Sequence, residues 1–264
     1  MYFFLRRIRV ALKAVLFHLF ISILAAFVAA GLVFSVWYPH PYGILSGGRD
    51  LFLIIVVVDV VCGPLMTLVL FNPIKPRLEL AIDMGLVALM QMSALLYGIH
   101  TAYEARPLFL VHEVDRFRVI TAGDYGEVDV NASLAVLPES LRPRWFAGPT
   151  AVSVRPPRNE NERTEVTLEA ISGGRDYAQR PEFYIPYSSA NLSAIRGRYR
   201  PLRIFIKKNP DVANEAHEIL QRHRVSMEDA YFLPVIHRKE WIAVLDESAN
   251  ILGFLPGDGF SVGH

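Results

Sequence analysis

The sequence predicts an α-helical membrane protein with three transmembrane helices, followed by an α+β extracytoplasmic domain. Three observations carry that expectation. The 264 residues are 52% hydrophobic and 20% charged, whereas a soluble domain sits near about 45–50% and about 25%. The excess is uneven, because residues 1–106 hold 8 Lys/Arg and 5 Asp/Glu while 107–264 hold 19 and 21. Three runs in the first part also reach the roughly 20 apolar residues needed to cross a hydrocarbon core. The balanced second part is large enough to bury a core of its own. Disorder and nucleic-acid binding through a basic face are poor fits to this composition. With Cys62 as the single cysteine, an internal disulfide and a cysteine metal site are both excluded.

Residues 1–13 form a basic start with Arg6, Arg7, Arg9 and Lys13, and 14–106 form the membrane part. The expected spans are Ala14–Trp37, Leu51–Phe71 and Leu80–Ala102. A cleaved signal peptide is the competing reading of the first run, since Val28-Ala29-Ala30 loosely resembles a cleavage site. The apolar stretch continues to Trp37, however, which is too long for a signal-peptide core. Lys75 and Arg77 lie between the second and third spans, while the first connection, Tyr38–Asp50, holds Arg49 alone beside Asp50. The excess of cations near the N-terminus and the second connection places both in the cytoplasm and 107–264 outside. Trp37, Tyr38, Tyr42 and Tyr103 are then expected at the outer interface.

Each span carries small or polar residues at helical spacing, the features that decide which helix faces meet in lipid. These are His18, Ser22, Ala25 and Ala29 on the first; Asp59, Gly63 and Thr67 with Pro64 on the second; and Asp83, Gln91, Ala94 and Gly98 on the third. Depth along the helices, at about 1.5 Å per residue, pairs Asp59 with Gln91 and His18 with Asp83. A catalytic carboxylate dyad of Asp59 and Asp83 is the sharper alternative. It needs both groups at one depth, and the same rise separates them by roughly 12 Å.

In 107–264 the pattern changes to short β-like runs. Leu108–Val114 and Phe117–Thr121 suggest a hairpin, as do Trp241–Leu245 and Ile251–Leu255 with Trp241, Ala243 and Leu245 on one buried face. Pro156–Arg163 and Ser172–Asp176 read as loops. A helix is expected from Asn209-Pro210 to about His223, with Val212, Ala216, Ile219 and Leu220 inward. His112, His217, His223 and His237 are dispersed, and no nucleophile-elbow or zinc-protease sequence occurs. Arg196–Arg200 with Arg203, Lys207 and Lys208 forms a basic patch that reads as a solvated face. No catalytic residue, cofactor or metal is expected.

Tyr42-Gly-Ile-Leu-Ser-Gly-Gly-Arg-Asp-Leu51, Asp59 with Gly63-Pro64-x-x-Thr67, Asp83, Gln91 and Tyr97-Gly98 resemble the type IV pilin accessory proteins of the TfpX/TfpZ group. The likeness continues through Leu110–Thr121 and Ala243–Asp246 and leaves about 130–200 unmatched. It implies a protein of the bacterial inner membrane that assists type IV pilus biogenesis in a chaperone-like way, with pilin as partner and no established catalysis. On that view Gly63, Pro64, Thr67, Ala94 and Gly98 would let a pilin helix approach closely, while the periplasmic domain contacts the pilin head. A membrane-embedded enzyme acting on pilin through Asp59 and Asp83, and a periplasmic ligand-binding module, are the competing classes.

Overall fold

The computed structural model describes residues 2–126, 128–187 and 195–262. Two compact units are present, 1–40 with 48–105, and 41–47 with 106–264. The first unit is three long helices. α1 is Tyr2–Leu32 and runs on as a π-helical turn, Val33–Trp37. After the one-turn α2, Tyr42–Leu45, which belongs to the second unit, come α3, Gly48–Leu70, and α4, Arg77–Glu104. All three long helices are long and apolar enough to cross a membrane, over Arg9–Trp37, Gly48–Leu70 and Arg77–Glu104. α3 packs against both α1 and α4. Proline marks two of these helices. Pro76 precedes the first turn of α4, and Pro64 sits inside α3, where it removes one main-chain hydrogen bond.

The second unit is a mixed sheet flanked by short helices. β1, Pro107–His112, pairs antiparallel with β2, Phe117–Thr121, through a bulge near Phe109. β1 also pairs in parallel with β3, Thr150–Val154, on which β4, Tyr184–Pro186, folds antiparallel. β2 meets β6, Tyr231–Ile236, in parallel over Phe117–Val235 and Arg118–Ile236. β7, Glu240–Leu245, and β8, Ile251–Pro256, complete the order β4-β3-β1-β2-β6-β7-β8, with the two-residue β5, Arg200–Pro201, pairing to β6. The helices in chain order are α5, Val130–Ala135; α6, Glu160–Ile171; α7, Leu202–Lys208; and α8, Ala213–His223.

Both faces of the sheet are covered. Trp241, Ala243 and Leu245 join one apolar cluster with Leu110, Val119 and Leu233. Ile242 and Val244 join another with Phe205, Ala216 and Ile219 from α7 and α8. Trp241, Ala243 and Leu245 thus share one buried face as expected, and helices cap the second face as well, so the whole run Trp241–Leu245 is buried. Burying a large apolar side chain contributes about 1.5–3 kcal/mol, so such doubly covered strands carry much of this unit's stability.

Two further boundaries differ from expectation. Pro156–Arg163 is not all loop, since α6 begins at Glu160. Asn159 Oδ1 accepts from the Glu162 amide at 2.8 Å and caps the helix, and Arg155 grips the Glu162 carboxylate with two bonds of 2.9 and 2.8 Å. Val166 is the one buried side chain along α6, so no apolar stripe announces it. The helix expected from Asn209-Pro210 starts with a 3₁₀ turn, Pro210–Val212, before α8, and its four inward residues are all buried as expected.

Candidate functional site

The polar residues of the helical unit converge on Gln91. His18 Nδ1 lies 2.6 Å from Thr67 Oγ1, and the other ring nitrogen, Nε2, donates to Gln91 Oε1. Gln91 Nε2 then donates to Ser22 Oγ at 2.7 Å and to the main-chain carbonyl of Asp59 at 3.0 Å. An amide has one acceptor oxygen and two donor hydrogens, and here all three are used. The network ties α1, α3 and α4 together at one level. In lipid an unmade hydrogen bond finds no water to replace it.

Asp59 and Gln91 meet as expected, although through the Asp59 backbone rather than its carboxylate. His18 and Asp83 do not pair. Asp83 binds Lys75 at 2.5 Å across the turn into α4, and His18 reaches Thr67 and Gln91 instead. The depth arithmetic failed because α1 starts at Tyr2, well before Ala14. His18 is therefore about 24 Å along that helix, not near its beginning. The Asp59 backbone is bonded at Gln91, which lies about 12 Å along α4 from Asp83. The two carboxylates are thus held in separate settings.

The glycines serve the bundle itself. A Cβ at Gly63 would collide with the Gln91 side chain, one at Gly98 with Ile55, and one at Gly48 with the Tyr38 ring. Gly63, Pro64, Thr67 and Gly98 are buried within the unit, whereas Ala94 is exposed. Four of the five positions proposed for a close helix approach are therefore occupied by this chain's own helices. Where α1 ends, Tyr38 donates to the Ala102 carbonyl at 3.0 Å and Trp37 stacks edge-on against Tyr103 at 5.1 Å.

One feature was missed by the sequence reading. The connection 41–47 is a built part of the second unit. Tyr42 and Leu45 sit in the cluster with Trp241 and Leu233, and Tyr42 meets Phe254 edge-on at 5.8 Å. Tyr42 is thus a core residue of this unit, and burial pushes its phenol pKa well up. Gly47 turns with φ +72°, against the Arg238 side chain. The His237 ring bonds the Leu45 backbone, and burial lowers its pKa. The available signal was the order of residues in Tyr42-Gly-Ile-Leu45, with apolar side chains three apart ahead of Gly47-Gly48. Among the described residues, no group of three or more His, Cys, Asp or Glu is arranged to hold a metal ion.

The profile of the family "Fimbrial assembly protein FimB" matches residues 6–47, from α1 through the inserted connection. Over 248 residues, covering 93% of this chain and 94% of the relative, the chain is 37% identical to the fimbrial assembly protein, serogroup I, of Dichelobacter nodosus. It is 38% identical to the serogroup E1 protein of the same organism over the same shares. A third relative, from serogroups C1 and C2, is 44% identical over 107 residues, 40% of this chain and 82% of the relative. No solved structure matches the chain.

Proposed function

The chain belongs to the fimbrial assembly protein family, and from that premise we propose that it is a noncatalytic accessory factor of type IV pilus biogenesis, of the TfpX/TfpZ kind, that holds pilin at the bacterial inner membrane. The observation that carries the reading is the joining of two different parts in one chain. A lipid-compatible bundle is linked to a folded α+β unit by two segments, the inserted 41–47 and the junction after α4. A pilin subunit awaiting assembly has the same division, with an apolar helix in lipid and a head outside. A factor that engages both parts needs a surface in each phase.

The proposed orientation is supported by the same chain path. Residues 41–47 fold with 106–264, so the first connection and the large domain share one side, as three crossings require. The cations at Arg9, Lys13, Lys75 and Arg77 favour the cytoplasm for the opposite side, which supports a periplasmic α+β unit. The noncatalytic reading is supported by the separate engagement of Asp59 and Asp83, because a proton-sharing dyad requires adjacent carboxyls.

With Gly63, Thr67 and Gly98 used internally, the helix-docking surface is reassigned to the outward side of α4, where Met90, Ala94 and Tyr97 are exposed. The test is detergent extraction of the tagged full chain from piliated cells, with co-purifying proteins scored by mass spectrometry. Enrichment of pilin over other single-span membrane proteins is the expected result. Recovery of the chain without pilin, from cells with normal pilin levels, overturns the proposal.

A further inference from the structure

We propose that the α+β unit carries a binding site for an acidic polypeptide segment, in a cavity at the carboxyl ends of β1 and β3. The cavity measures about 1220 Å³ and lies among the β1–β2 turn, the Val154–Asn159 stretch and the start of α6. Pockets for drug-sized molecules occupy about 300–1,000 Å³, so this one has room for a length of chain. Its position is the usual one for a ligand in an open α/β sheet, beyond the carboxyl ends of parallel strands, here Phe109–His112 against Thr150–Ser153.

The floor is polar and incomplete. His112 is 4% exposed and is clasped by the rings of Phe117 and Tyr187, with centroids 5.4 and 6.2 Å away. Its Nδ1 lies 3.5 Å from Ser153 Oγ, while Nε2 is buried without a hydrogen-bond partner among the described residues. The buried Tyr177 hydroxyl, also in the lining, has none either. Leaving a buried polar atom without a hydrogen bond is costly, and a ligand that reaches the floor recovers that cost.

The mouth supplies the charge preference. The lining holds six arginines against Glu113, Asp115, Glu160 and Asp176. Arg118 is shared between Glu113 and Asp176 at 3.7 and 3.5 Å, and Arg155 is held by Glu162. Arg158 and Arg198 are exposed and form no ion pair among the described residues. A guanidinium presents paired donors that fit a carboxylate. Val154, Pro156 and Pro157 between these charges offer an apolar wall to a chain carrying such carboxylates. The site goes beyond the pilin reading and does not require pilin to be the donor of the segment.

The experiment is fluorescence anisotropy on the detergent-solubilised full chain with fluorescein-labelled hexaglutamate as probe and hexaglutamine as control. Hexaglutamate is expected to bind, with affinity lowered about tenfold or more in the double variant R158E/R198E, a difference of about 1.4 kcal/mol. R203E/K207E, with its changes outside the cavity lining, should bind as the wild type does. His112→Phe keeps the ring packing and removes Nε2, so it should also weaken binding while leaving thermal unfolding cooperative. Equal affinity in R158E/R198E and wild type, equally tight hexaglutamine, or no binding at about 1 mM probe overturns the proposal. Displacement of the probe by an equal concentration of inorganic phosphate assigns the site to a small anion and overturns it as well.

Discussion

The two units solve the same packing problem in opposite ways. In the helical unit an apolar cluster of Val33, Trp37, Phe52 and Ala102 closes one end, and around Gln91 the contacts that fix one helix against another are polar or steric: the His18–Gln91–Ser22 and Gln91–Asp59 bonds, Thr67 on His18, and the missing side chain at Gly63. Many of its large apolar side chains, such as Phe17, Leu89 and Tyr97, point outward. In the α+β unit the arrangement is reversed. Phe109, Phe117, Phe232 and Leu233 are fully buried, and Arg158, Arg198 and Arg203 face outward. The solvent explains the inversion. Lipid gives no drive to hide a leucine, so close approach and hydrogen bonds decide, whereas water makes apolar burial the main term.

This contrast can be broken by experiment, beginning where the expected effect is largest. Leu45 lies between α1 and α3 in the chain but within the apolar core of the other unit. Leu45→Ala should cost about 2–5 kcal/mol and appear as faster amide exchange in β6 and β7, with α3 and α4 unchanged. Exchange rising only in the helices would contradict the assignment of 41–47.

Acid should separate the units next. Burial lowers the His112 imidazole pKa from 6.5 to about 4, against the opposing pull of Asp115. The folded state thus resists a proton that the unfolded chain takes up. The resulting stability is complete above about pH 6.5 and is lost as the pH falls toward 4, in total about 3 kcal/mol. Denaturant unfolding followed through the α+β unit should weaken across that window in the wild type and much less in His112→Phe. A flat profile in the wild type would contradict it.

Inside the bundle, Gly63→Ala places a methyl group against Gln91 and should cost about 1–3 kcal/mol by overpacking. Gln91→Leu, which deletes the hub's three hydrogen bonds, should cost about 0.6 kcal/mol for each, below the upper end of the overpacking cost. Thermal unfolding in detergent ranks the two, and the reverse order would show that hydrogen bonding outweighs fit. At the small end, the Arg155 hydrogen bonds hold Glu162 down at about 2. The α6 N-terminus should therefore fray as the pH falls from 4.5 toward 2, detectable as local amide exchange with the sheet intact.

Legibility in the sequence followed the strength of each physical signal. Three apolar runs announced three helices, and alternation announced the hairpins at Phe117 and Trp241, because burial imposes its period on composition. The polar stripes named His18, Asp59, Thr67 and Gln91 as inward residues, but pairing them required knowing where α1 begins. That is a terminal detail which hydropathy does not encode, since Tyr2–Leu5 are as apolar as the span itself. β4 and α6 went unread because Tyr184–Pro186 is three residues long and α6 buries little beyond Val166. The insertion of Tyr42 and Leu45 depends on residues such as Trp241 and Phe254, about two hundred positions away, which no local pattern reveals. The cavity at His112 was likewise hidden, because its walls come from segments far apart in the chain.

On the proposed function, the outward face of α4 receives a pilin helix. The direct measurement is photocrosslinking in living cells, with a benzophenone amino acid placed at Met90, Ala94 or Tyr97 on the outer side of α4, and at buried Val87 for comparison. Pilin adducts are expected from the outer positions and none from Val87. Efficient crosslinks from the outer positions to other proteins, with pilin absent from every adduct, would contradict it.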